Sequence, residues 1–147
     1  MATTITIKNI DRLTKRLNNI SDMDLKDVIN KATTRVHSEA KTLSPVDKGD
    51  LAESIHPKVK KTKVGYEGRV YTNLEYAMYV EFGTGVKGDG SYPYDIDGLT
   101  LTYKQDWAGM KAQPYMYPAL KNSEKYIDKL IKDGVKNNLR KNCKGGR

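Results

Sequence analysis

The chain has 147 residues, of which 37% are hydrophobic and 30% charged, with a formal net charge of +8. That is the length of one domain with a thin apolar share, which suggests surface completed by neighbouring subunits. A single cysteine, Cys143, excludes an intrachain disulfide framework and a cysteine-built metal site, and no apolar run of about 18 residues is present to span a membrane.

The lone cysteine and the lack of an apolar signal core lead to the expectation of synthesis in a reducing cytoplasm. The whole chain, residues 1–147, reads as a single domain. Ile10, Leu13, Leu17 and Ile20 recur at helical steps and predict a short helix within residues 1–21. Ser21 offers an N-cap, with Asp24 three residues later. Leu25, Val28, Ala32, Val36, Ala40 and Leu43 then keep helical spacing, so a long helix is expected over residues 22–42, ending at Ser44-Pro45. Asp47 is a candidate cap for a short helix over 51–54.

Ile55, Pro57 and Val59 alternate with polar residues, as do Val64, Tyr66, Gly68 and Val70. Period two predicts an antiparallel hairpin, turning near residues 61–63 or at 65–68. A brief helix is expected over 75–82, ended by Gly83-Thr84-Gly85, then a flexible loop over 83–98 rich in Gly, Asp, Pro and Tyr. Leu99, Leu101 and Tyr103 alternate with threonines and predict one more strand. Pro118 suits the first turn of a last helix whose stripe would be Leu120, Ile127, Ile131, Val135 and Leu139. Gly134 weakens that helix by about 1 kcal/mol relative to alanine. Residues 141–147 are expected to be a mobile tail. The predicted class is α+β, with a long N-terminal and a C-terminal helix packed on a small antiparallel sheet.

Catalytic signatures are missing. His37 and His56 lack metal-ligand spacing, and Asp89, Asp95 and Asp97 share a loop without the ligand pattern of a calcium site. The glycine-rich stretch 83–90 has no G-K-[ST] ending and is no Walker loop. No catalytic residue, cofactor or metal ligand is therefore assigned, and the expectation is a protein that is not an enzyme. Two features point to binding instead. Tyr76, Tyr79, Phe82, Tyr115 and Tyr117, with Gly83 and Thr84, form an aromatic set suited to a subunit interface. Lys121, Lys125, Lys129, Lys132 and Lys136 are spaced to line one side of the last helix, as a solvated face or as contacts to DNA phosphates.

Three segments, taken in order, carry a resemblance. They are Ser44-Pro45-Val46-Asp47-Lys48-Gly49-Asp50-Leu51-Ala52-Glu53-Ser54-Ile55, Tyr76-Ala77-Met78-Tyr79-Val80-Glu81-Phe82-Gly83-Thr84-Gly85, and Ala112-Gln113-Pro114-Tyr115-Met116-Tyr117-Pro118-Ala119-Leu120. Set between two long helices, they resemble the head–tail joining or tail-completion proteins of the siphophage neck, of the lambda-like assembly module. The chain departs from the pattern at Lys48, Asp50 and Tyr115, and residues 86–110 look like an insertion.

The resemblance implies a virion protein that forms a ring of its own copies, sixfold, between head connector and tail tube. Its partners would be the connector and the tail-tube or terminator proteins, with DNA passing through the lumen and no membrane. The loop over 83–98 would be the docking element. A tail terminator capping the tube is the alternative within that class. The basic charge and the lysine stripe motivate an alternative of another class, a non-specific DNA-binding module.

Overall fold

The computed structural model describes residues 22–46 and 49–144, with side chains from residue 25 to residue 141 within those ranges. The short helix expected within 1–21, the Ser21 and Asp24 side-chain cap expected for the long helix, and the Asp47 cap lie outside what is described. The long helix α1 runs Asp22–Leu43. Ile29, Ala32, Val36 and Ala40 recur at three- and four-residue steps and are buried, as is Thr33 beside them. The Thr33 hydroxyl donates to the Ile29 carbonyl at 2.7 Å, so its polar atom is satisfied inside the core. Burying Ile29 and Val36 contributes about 2 kcal/mol each. The helix stops where Ser44 donates its amide to the Ala40 carbonyl at 3.0 Å and its hydroxyl to the Lys41 carbonyl at 2.8 Å. Pro45 prevents a further turn.

A single turn, α2, Asp50–Glu53, places Leu51 in the core. The chain then forms the hairpin β1, Ile55–Thr62, and β2, Gly65–Thr72. The strands are antiparallel, with Ile55 opposite Thr72 and Thr62 opposite Gly65, so Lys63 and Val64 form the turn. Of the two predicted turn sites, the first is close to the observed one. Val64 leaves the expected stripe for the tip of the hairpin and is 63% exposed.

The inner face of the hairpin packs under α1. Gly68 is the reason it can lie so close: a Cβ there would collide with the Thr33 hydroxyl and crowd the Ile29 side chain. The outer face is polar. Glu67 accepts from Arg69 at 2.6 Å and pairs with Lys60 at 3.4 Å. His37, to which the sequence assigned no metal role, joins α1 to the foot of β1 through its Nε2, 3.0 Å from the Ile55 carbonyl.

After β2 come two short helices, α3, Ala77–Phe82, and α4, Gly85–Gly88. The last helix, α5, runs Met116–Lys144. It starts two residues before Pro118 and continues four residues into the stretch expected as a tail. Residues Met116, Ala119, Ser123, Ile127 and Asn138 are its buried positions. Gly134 sits against α1, where a Cβ would come within 2.6 Å of Val28 Cγ2.

The predicted stripe on α5 needs correcting at its end. Leu139 is 41% exposed, while Asn138 is buried. Four-residue steps overshoot the 3.6-residue turn by about 40° each, so the series Ile127, Ile131, Val135, Leu139 winds away from the core.

The predicted strand at Leu99, Leu101 and Tyr103 is a second correction. The sheet has two strands, β1 and β2, and the only other pairing among the described residues is the bridge between Thr84 and Met110. Residues 99–104 alternate in burial as a strand would, but among the described residues no other strand runs beside them to complete a ladder. The class is α+β as predicted. Two long helices pack on each other, α1 also covers one face of the hairpin, and α3, α4 and the long connection follow the foot of β2.

Candidate assembly interface

The second and third sequence segments meet at Glu81. This carboxylate is 5% exposed and lies on α3. Oε2 accepts from the backbone amides of Tyr115 at 2.8 Å and Met116 at 2.9 Å, and Oε1 from that of Tyr117 at 3.1 Å. The amides are those at the start of α5. They have no carbonyl partner within the helix, and a carboxylate is favoured there by the helix dipole. The Tyr92 hydroxyl adds a longer bond to Oε1, 3.4 Å. A second tie runs from the Gln113 amide to the Val80 carbonyl at 2.8 Å. Thus α3 positions α5 from more than 30 residues away in sequence. Sequence reading missed Glu81: it lay unremarked inside an aromatic motif.

Burial, followed by the nearby Glu81 charge, pushes the Tyr92 and Tyr115 phenols up from their ordinary range. Burial followed by the Asp89 charge does the same, more weakly, to Tyr103. These phenols stay protonated and act as packing and donor groups.

The stretch read as a loop, 83–98, is stitched into the molecule at several points. Thr84 and Met110 exchange main-chain bonds of 2.8 and 2.9 Å. Val86 and Lys87 donate their amides to Trp107 and Ala108. The Tyr103 hydroxyl reaches the Phe82 carbonyl at 2.9 Å. Gly83 and Gly85 have φ values of 79° and 62°, and a Cβ at either would press on backbone between Trp107 and Ala112. The Gly-Thr-Gly motif is therefore a close crossing of two chain segments. Phe82, Tyr92, Tyr94 and Tyr117 continue from it as a row of rings with centroids 4.9, 5.6 and 5.0 Å apart.

Between α3 and residues 99–110 lies an open apolar groove of about 810 Å³. Tyr76, Tyr79, Phe82, Gly83 and Thr84 from the predicted set line it. Tyr76 and Tyr79 are 44% and 50% exposed, and Trp107, on the opposite wall, is 54% exposed. Tyr115 and Tyr117 belong elsewhere. Tyr115 is 1% exposed and sits in the core, so as an interface residue it is corrected: its ring fills the space where α3 meets α5. Tyr117 is half-buried in the ring row. Leu99, Leu101 and Trp107 complete the groove and were absent from the predicted interface set.

Lys121, Lys125, Lys129, Lys132 and Lys136 are all exposed on α5, on the side away from its buried Ala119, Ser123 and Ile127. Lys121 is held by Glu124 at 2.9 Å, which raises its pKa, and it lies 5.6 Å from the centre of the Tyr117 ring. Asp89 accepts from Gln105 at 3.0 Å. Among the described residues no group of three acidic, His or Cys side chains is placed to hold a metal ion. The arrangement is suited to binding surfaces: an apolar groove rimmed by aromatic rings, and a cationic helix face.

The family model "HK97-gp10_like: Bacteriophage HK97-gp10, putative tail-component" matches residues 6–83. The match takes in the first segment and nearly all of the second, and it stops just before the stretch 86–110 that looks like an insertion. No curated protein and no solved structure matches the chain significantly.

Proposed function

The chain belongs to the HK97-gp10-like family of bacteriophage tail components, and from that premise we propose that it completes the neck of a long-tailed phage, joining a filled head to a finished tail. Membership makes it a structural part of the virion that contacts other virion proteins, and it points away from catalysis. No helix among the described residues is long and apolar enough to cross a membrane.

The observation that carries the finer reading is the Glu81 junction. It joins the second and third segments into one rigid unit and leaves Tyr76 and Tyr79 facing outward over the groove. A buried ionic cap is a way to hold a docking surface in place. In the proposed assembly the chain forms a ring of its own copies, sixfold, between the head connector and the tail-tube or terminator proteins. The lysine face of α5 lines the lumen and meets the phosphates of the passing DNA.

Electron microscopy of lysates from the parent phage with this gene disrupted tests the role. DNA-filled heads beside separate tails of normal length are the expected result. Overlong tails would assign the chain to tail termination instead. Intact infectious particles would overturn both.

A further inference from the structure

Half of the chain's net positive charge sits on one small element. The hairpin carries Lys58, Lys60, Lys61, Lys63 and Arg69 against a single carboxylate, Glu67, a net +4 of the chain's +8. Alternation along the strands divides these residues between two faces. Gly68 and Val70 are buried under α1, so Glu67, Arg69 and Tyr71 point the other way. The register sets Lys60 across from Glu67, Lys58 across from Arg69 and His56 across from Tyr71. Lys61 is paired with Tyr66 on the inner face, its ammonium 5.9 Å from the ring centre, and is no part of the outer surface.

The outer face is a cationic patch. Lys58 and Lys60 are both exposed and stand about 7 Å apart along the strand. Glu67 does not cancel the patch. It accepts from Arg69 at 2.6 Å and pairs with Lys60 at 3.4 Å, and its side chain is 15% exposed, less than either cation that covers it. It braces those two side chains and leaves their charge outermost. Lys58, and Lys63 in the turn, are exposed and have no acidic partner among the described residues.

The make-up of the face decides what it can hold. No aliphatic side chain projects from it. A protein interface is built around apolar or aromatic anchors, and lysine and glutamate are depleted there. A single nucleic-acid strand needs open rings on which bases stack. The one ring pair on this face, His56 and Tyr71, is tilted by 56° with Tyr71 half-buried, so it offers no such platform. An ammonium suits phosphate as a point charge. Duplex DNA presents phosphates in a regular row, and its major groove admits a two-stranded ribbon.

This surface is separate from the lysine face of α5. A Cβ on Gly68 would meet Thr33, and one on Gly134 would meet Val28. Those two contact points lie about 140° apart around α1. The hairpin and α5 therefore flank α1 on different sides, and each turns its cations outward. We propose that the outer face of the hairpin binds double-helical DNA through its phosphates, as a second DNA site beside the α5 stripe. Lys58 and Lys63 are the free contacts, with Lys60 and Arg69 held ready by Glu67. The site reads no sequence, because lysine lacks the fork of donors that matches a base edge and Arg69 has turned its own to Glu67. The site belongs to the single chain and does not depend on the ring proposed above.

Fluorescence anisotropy of a labelled, mixed-sequence DNA duplex, titrated with the full chain from about 50 to 200 mM salt, tests it. Lys58→Gln with Lys63→Gln is expected to weaken binding at low salt by about tenfold. It should also reduce the slope of log affinity against log salt by about 2, one for each lost phosphate contact. Lys58→Arg with Lys63→Arg keeps the charge and should keep both affinity and slope. Lys31→Gln with Lys41→Gln removes the same charge from exposed positions of α1 and should leave the slope nearly unchanged.

No binding of the duplex by the parent chain would overturn the proposal. Equal losses from the hairpin pair and the α1 pair would reduce the effect to overall charge and overturn the site. A loss in the arginine pair as large as in the glutamine pair would show a role other than charge, with the same consequence. Tighter binding of a single strand than of the duplex would give the face to unpaired nucleic acid. A parent that ignores DNA, while the glutamine pair still lowers infectious titre, would give it to an acidic protein partner. The neck reading is decided by the particles made without the gene, so either can fail alone.

Discussion

Glu81 shows how much one side chain can organise. Its two oxygens satisfy three amides at the start of α5 while themselves out of water. Removing it leaves those donors buried without a partner, and bonds to a charged group are the stronger kind. Glu81→Ala is expected to cost about 3 kcal/mol in urea denaturation, counting a lost cap and a lost charge-assisted bond. Glu81→Gln keeps the shape but has one acceptor oxygen, so its cost should be about half as large. Equal stability of the alanine variant and the parent would show that α5 holds its place without this cap. Gly68 works in the opposite way, through the atom it lacks, which lets Thr33 and Ile29 lie on the hairpin.

Among elements, the contact of α1 with α5 depends on Gly134. Helix propensity alone favours alanine there by about 1 kcal/mol. The Cβ would meet Val28 Cγ2 at 2.6 Å, and overpacking costs about 1–3 kcal/mol, so packing outweighs propensity. Gly134→Ala should therefore be destabilising by about 1 kcal/mol on urea titration. Adding Val28→Ala should recover part of that, and a stabilised single variant would show that the helices can move apart.

The outer face of the hairpin adds a pH dependence. Arg69, bonded to Glu67, holds that carboxyl below the ordinary value of 4.5, with Lys60 assisting. A lowered folded value means that the pairing supports the fold above 4.5 and is lost as pH falls through the folded value. The effect is small because the groups are solvent-screened. Thermal melts of the parent and Glu67→Gln should differ near neutrality and converge in acid. A constant difference across the acid range would remove Glu67 from the titration.

For the whole molecule, the division is between a cationic helix face and an apolar groove lined by aromatic rings. The lysines of α5 lie away from the α1 contact, so their replacement disturbs little of the fold. Exchanging Lys125, Lys129, Lys132 and Lys136 for glutamate should leave the urea midpoint nearly unchanged, within about 0.5 kcal/mol per site. If that face lines the lumen, plaque titre should nevertheless collapse, because the passing DNA is repelled. An unchanged titre would count against lumen contact.

Local pattern by itself determined much of this protein. The α1 periodicity and its stop at Ser44-Pro45, the alternation of the hairpin, the short helix before Gly83 and the approximate start of α5 are all written in neighbouring residues, because caps, prolines and repeat periods act over one or two turns. The three ordered segments likewise pointed to the family. What only tertiary structure decided depends on partners far away in the chain. Leu99, Leu101 and Tyr103 have a strand's pattern but, among the described residues, no strand beside them. Tyr115 lies in the core and Tyr79 at the surface, although both belong to aromatic motifs. Asn138 rather than Leu139 faces inward because a long helix drifts against any four-residue count. Glu81 finds its three amides 34 to 36 residues away, and no local signal marks a carboxylate for a helix that has not yet begun.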